Sequence, residues 1–125
     1  MRVVLDTSIL FRANLLLLLA EEPNRVVLPA VAYAERVRQL IKQGRDPAEF
    51  DRWLEANLIE VEPMSPGQAV RFLAALTDDA AWSRLARDAF IAGHLEADDV
   101  LWTTNPRDFK RIGVPAEQIA LLPGS

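Results

Sequence analysis

The sequence predicts an α/β fold with a mostly parallel sheet covered by helices on both faces. Three observations carry this. Short apolar runs recur at 2–5 ("RVVL"), 25–29 ("RVVLP") and 99–105 ("DVLWTTN"), and segments with helical spacing separate them. Polar or acidic residues stand at the carboxyl ends of these runs, where sheets of this kind bind ligands.

In chain order, 2–6 reads as a short buried strand, and Ile9 to about Ala20 as a Leu-rich helix capped by Thr7 or Ser8. The second strand, 25–29, ends on Pro29, which can open the helix over 30–43 that stops at Gly44. Asp46 as cap and Pro47 at the first helical position start a third helix over 46–57. "LIEVEP" (58–63) then alternates like an exposed or edge strand. Another capped helix begins at Ser65, "TDDAAWS" (77–83) reads as a loop, and about 83–97 as a strongly amphipathic helix. A strand at 99–105, a helical turn at 106–112 and a last strand at 118–123 complete the order.

With 125 residues, the chain is expected to close one core, a single domain over 1–125. It has no cysteine, so disulfides and thiolate chemistry are excluded, and with His94 as the only histidine any metal should be a hard, oxygen-loving cation. The longest apolar run, Leu15 to Ala20, lies between Arg12 and Glu21 and is far shorter than the roughly 20 residues of a bilayer span. No secretory leader pattern opens the sequence, so a cytoplasmic protein is expected.

The net charge of −4 comes from the middle of the chain: residues 51–81 carry 2 basic and 6 acidic groups, against 7 and 6 before them and 5 and 6 after. Neutralising Asp6, Glu35 and Asp88 with a cation would leave the flanks modestly positive. An acidic total therefore does not exclude a phosphate-bearing partner.

Asp6 falls at the carboxyl end of the first strand, where it either stabilises a helix start or serves a site. Asp88 is more telling. Leu85, Asp88, Ile91, Ala92 and Leu95 share one helical stripe, so this acid points inward, and the neighbouring Arg87 is expected to face elsewhere. Glu35 lies off its helix's stripe of Tyr33, Val37, Leu40 and Ile41, and a solvated pair with Arg38 would explain it equally well. Asn105 before Pro106, with Asp108 three residues on, matches a capping box as well as a site. His94 is expected to be packed or hydrogen-bonded.

If these acids converge from separate elements, their repulsion requires a central cation. Oxygen-only ligation then suits Mg2+ or Mn2+, which can activate water and offset charge on a phosphodiester.

"VVLDTSIL", "VVLPAVAYAE", "ARDAFIAGHL" and "LWTTNPRDF", in this order across nearly the whole chain, resemble the PIN-domain ribonucleases, and in particular the small VapC-type toxins of toxin–antitoxin pairs. The resemblance implies a three-layer α/β/α fold and metal-dependent endonucleolytic cleavage of RNA. Asp6, Glu35 and Asp88 match the family's acidic triad. Thr7 and Ser8 match the hydroxyl residues after the first acid, Ser8 being placed to hold a metal-bound water or phosphate. The fourth acidic position falls on Asn105, an amide that coordinates weakly and adds no charge; Asp108 is a possible substitute. The metal set is thus Asp6 and Asp88 with Asn105. A small DNA-binding antitoxin and a homodimer are also implied, and the Leu15–Leu19 run could supply an interface or simply fill the core.

Other readings stay open. A haloacid-dehalogenase-like phosphatase would need an acid where Ser8 stands, and a receiver domain would need paired acids and a late lysine. A flap-type DNA nuclease shares the chemistry but needs a longer chain. A catalytically inert PIN-like module that binds RNA or protein remains the main alternative.

Overall fold

The computed structural model describes residues 1–11, 15, 19 and 25–121. Among them, five strands form one parallel sheet: β1 (Arg2–Leu5), β2 (Arg25–Pro29), β3 (Ile59–Glu62), β4 (Val100–Thr103) and β5 (Ile119–Leu121), in the order β3-β2-β1-β4-β5. The helices are α1 (Ala30–Lys42), α2 (Pro47–Ala56), α3 (Pro66–Val70), α4 (Asp79–Ala92) and α5 (Pro106–Arg111), with short 3-10 turns at Thr7–Phe11, Leu73–Ala75 and Ala116–Gln118. Helices lie around the sheet in a three-layer α/β/α arrangement, as the sequence predicts.

β1 is the centre of the sheet, and Val3, Val4 and Leu5 are fully buried, which is why three apolar residues run together there without alternation. β3 lies at an edge, where its alternating "IEVE" leaves Glu60 exposed to pair with Arg25. After β1 the chain moves outward through β2 and β3, then crosses back to pair β4 with the other side of β1. The strand order therefore reverses between β1 and β4, and the crevice at their carboxyl ends is the place such sheets reserve for a ligand.

Several boundaries differ from expectation. The predicted loop at 77–83 is largely the first turn of α4, because Asp78 caps the helix by accepting from the Ala81 N–H. The same helix stops at Ala92 rather than Ala97. Thr7 and Ser8 lie inside a 3-10 turn rather than ahead of it, with their hydroxyls bonded to carboxylates. Of the Leu-rich helix, Leu15 and Leu19 are helical and packed on the core, and the remainder falls outside the described residues. On α1, Leu40 is buried, but Ile41 is exposed and does not belong to the stripe. The α2 start holds as read, with Asp46 accepting from Ala48.

Gly93 lies against α3. A Cβ there would collide with the backbone carbonyl of Gln68 in α3, so only glycine lets the two segments meet. Gly93→Ala is expected to lower stability by about 1–3 kcal/mol, the usual range for overpacking against backbone. Urea unfolding measures it, and an unchanged midpoint would mean that α3 moves aside freely.

Candidate active site

The parallel register sets Leu5 beside Trp102, so Asp6 and Thr103 leave the sheet side by side at the crevice. The Asp6 backbone N–H donates to the Trp102 carbonyl at 3.0 Å, extending the ladder by one residue and fixing where the side chain starts. Asp6 as a whole is 1% exposed. Oδ2 accepts from Ser8 Oγ at 2.7 Å and from Thr103 Oγ1 at 2.8 Å. Those hydroxyls are themselves held: the Thr104 N–H donates to Ser8 Oγ and the Asn105 N–H to Thr103 Oγ1. Oδ1 is buried with no partner, a costly state for a carboxylate oxygen unless something positive meets it.

Asp88 is buried as its helical stripe predicts, on α4. The expectation that Arg87 faces elsewhere is overturned. Its long stem lets the guanidinium fold back, so that Nη2 meets Asp88 Oδ1 and Nη1 meets Glu35 Oε2, each at 3.0 Å. Glu35 is therefore no solvated partner of Arg38. Its other oxygen, Oε1, accepts from Thr7 Oγ1 at 3.0 Å. A chain of contacts runs Thr7–Glu35–Arg87–Asp88 and joins the turn after β1 to α1 and α4.

Asn105 sits at the N-cap position of α5 without capping it. Its Nδ2 donates instead to Asp108 Oδ2 at 3.0 Å, so the expected capping box does not form: the amide binds the carboxylate that was to reach back. Asp108 also lies 4.0 Å from Arg111.

Electrostatics ties these groups together. Burial pushes the Asp88 carboxyl above its usual range, Arg87 opposes this, and the charges of Asp6 and Asp108 push it further up. Loss of water alone would lower the Arg87 pKa, but Glu35 and Asp88 outweigh it and hold the guanidinium charged. A raised Asp88 pKa means the folded protein binds more protons than the unfolded chain between the ordinary carboxylate pKa and the raised one. Its contribution to stability is full below that window and is lost as pH climbs through it. In chelator, the stability of Asp88→Asn relative to wild type should therefore increase as pH rises from the acidic range towards neutrality. Urea midpoints of the two proteins give the test, and a pH-independent difference would contradict the assignment.

Among the described residues, no group of three or more His, Asp or Glu side chains is gathered closely enough to enclose a metal ion. The residues present nevertheless fit a sparse oxygen site. Asp6 offers a buried, unpartnered oxygen and Asp88 a second carboxylate that feels its charge, and Mg2+ is commonly held by one or two carboxylates. Glu35 belongs to the site through Arg87 and Thr7. Sequence reading missed two participants. Thr103 lies within the "LWTTNPRDF" motif, but its contact with Asp6 follows only once β1 and β4 are known to pair, and Arg87 carried no signal beyond its adjacency to Asp88.

The family model described as PIN domain matches residues 3–115. The chain belongs to the PIN-domain family. This PIN domain thus has a nuclease-type fold, in a family that generally uses divalent metals. A comparison with curated proteins finds no match. In the PIN domain, all four resemblance motifs meet at the β1/β4 crevice: the turn after β1, Glu35 from α1, Asp88 from α4, and the segment after β4. No helix among the described residues is long and apolar enough to cross a membrane.

Proposed function

We propose that this PIN domain is a Mg2+- or Mn2+-dependent endoribonuclease that hydrolyses RNA phosphodiester bonds, acting as the toxin of a toxin–antitoxin pair. The observation that carries the reading is the Asp6 carboxylate, with one oxygen fixed by two hydroxyls and the other buried and bare, and with a charge that Asp88 feels. Asp6 and Asp88 would hold the cation, with Asn105 the weak third donor and Asp108 a reserve carboxylate. When bound, the ion supplies a more acidic water and offsets charge on the phosphodiester.

The chain's own groups do the positioning. Ser8 and Thr103 orient Asp6, and each donates from a hydroxyl whose oxygen is itself anchored by a backbone N–H. Arg87, steadied by Glu35 and Thr7, orients Asp88. Unstacked RNA is the substrate class, since an exposed backbone can reach a recessed acidic crevice and a duplex cannot. A small DNA-binding antitoxin as partner, a homodimer and a cytoplasmic setting belong to the same reading.

The test is cleavage of a mixed single-stranded RNA by wild type and Asp88→Asn, in Mn2+ and in chelator. Metal-dependent cutting by wild type alone is expected. Cutting that survives chelation or the substitution rejects the mechanism. A wild type that binds RNA and never cuts it in any metal favours an inert binding module, in which Arg87 would be the permanent counter-ion of Asp88.

A further inference from the structure

We propose that Arg87 takes a backbone phosphate of single-stranded RNA at the mouth of the Asp6–Asp88 crevice, an inference that rests on the ribonuclease reading above. The crevice is otherwise hostile to a phosphodiester, because Asp6, Glu35, Asp88 and Asp108 all repel it. Two arginines pair with these acids among the described residues. Arg111 reaches only Asp108, at 4.0 Å, whereas Arg87 meets both Glu35 and Asp88 at 3.0 Å.

Two features make Arg87 more than a counter-ion. It is oriented from two sides, by Asp88 on its own helix and by Glu35, whose second oxygen is held by Thr7. It is also unsaturated: a guanidinium has five N–H groups, only two make hydrogen bonds here, and the side chain is 46% exposed. A planar guanidinium held by a carboxylate on each terminal nitrogen, half-exposed and with Nε and the second N–H of each Nη still to donate, suits two oxygens of one phosphate.

The experiment is fluorescence anisotropy of a labelled single-stranded oligoribonucleotide in chelator, where cleavage is silent, across a range of salt. Arg87→Gln should bind several-fold more weakly, with the log affinity against log salt slope shallower by about 0.7, the loss of one single-strand phosphate contact. Arg87→Lys keeps the charge but not the fork, so its slope should match wild type at several-fold weaker affinity. Arg84→Gln, one turn earlier on α4, should change neither. The inference is overturned by a wild-type slope in Arg87→Gln, by the same change in Arg84→Gln, which would make it net charge alone, or by a wild type that does not bind. Thermal melts establish that each variant is folded, and if Arg87→Gln is not, wild-type affinity in Arg87→Lys overturns the inference. Absence of Mn2+-dependent cleavage would strike the ribonuclease reading, while the anisotropy result still decides Arg87.

Discussion

Asp6→Asn is expected to abolish RNA cleavage while leaving a folded protein. The loss should exceed about 100-fold, because even an outer partner of a metal ligand is worth 10–100-fold and Asp6 is proposed as a ligand itself. Its fold should tolerate the change. An asparagine oxygen can still accept from Ser8 and Thr103, and removing a buried charge relieves the repulsion it exerts on Asp88. The decisive readout is cation-linked stability. Saturating Mn2+ at about 100 times its dissociation constant adds about 2.7 kcal/mol to a protein that binds it only when folded. Wild type should therefore melt several degrees higher with Mn2+ than in chelator, and Asp6→Asn should not. A full Mn2+ shift in the variant would remove Asp6 from the cation site. Loss of the fold in chelator would mean that the buried carboxylate is structural.

The second large effect is expected at the amino end of β1. Arg2, at the opposite end of β1 from Asp6, is only 10% exposed in its side chain. Its Nη2 donates to Glu62 Oε1 at 3.0 Å and to the His94 carbonyl at 2.8 Å, and its Nε lies 3.5 Å from Asp99 Oδ2. Glu62 also receives Gln68 Nε2 and faces Nδ1 of the fully buried His94 at 2.7 Å. The pair with Glu96 counts for little, since that carboxylate is largely exposed. Arg2→Met would leave Glu62 and Asp99 partly buried without their cation, at a cost of about 3 kcal/mol. For a chain of this size that lowers the melting temperature by about 10 °C. Any nuclease activity measured well below the melt should be unchanged. A loss under about 1 kcal/mol would show that water reaches these acids when the arginine is gone.

The strands at β1, β2 and β4 could be read from sequence because a central parallel strand is apolar on both faces, a signal contained in five consecutive residues. Asp46–Pro47 was equally readable, since a cap followed by proline acts within one turn. Asp78 carried the same kind of cap, but the two adjacent acids resemble a loop as much as a helix start, and the first turn of α4 was lost to that ambiguity. Asp88 was found because its position on an apolar stripe is a local anomaly. Glu35 could be assigned only through the family resemblance, as its partners Thr7 and Arg87 are distant in sequence. Arg87 itself was misdirected because the angle between consecutive helical residues fixes where a Cβ points, while a long side chain decides for itself where its end goes. The bond from Thr103 to Asp6 depended on strand order, which no local pattern contains.

The central position of β1 has a consequence for biosynthesis. Thr103, whose hydroxyl fixes Asp6, is made 97 residues after it, and the Trp102 carbonyl that anchors the Asp6 amide is made just before Thr103. A polypeptide still under translation therefore carries its acids ungathered until β4 has emerged and docked. The centre comes into being with the final third of synthesis, and a product released before that point is expected to be inert whatever acids it already contains.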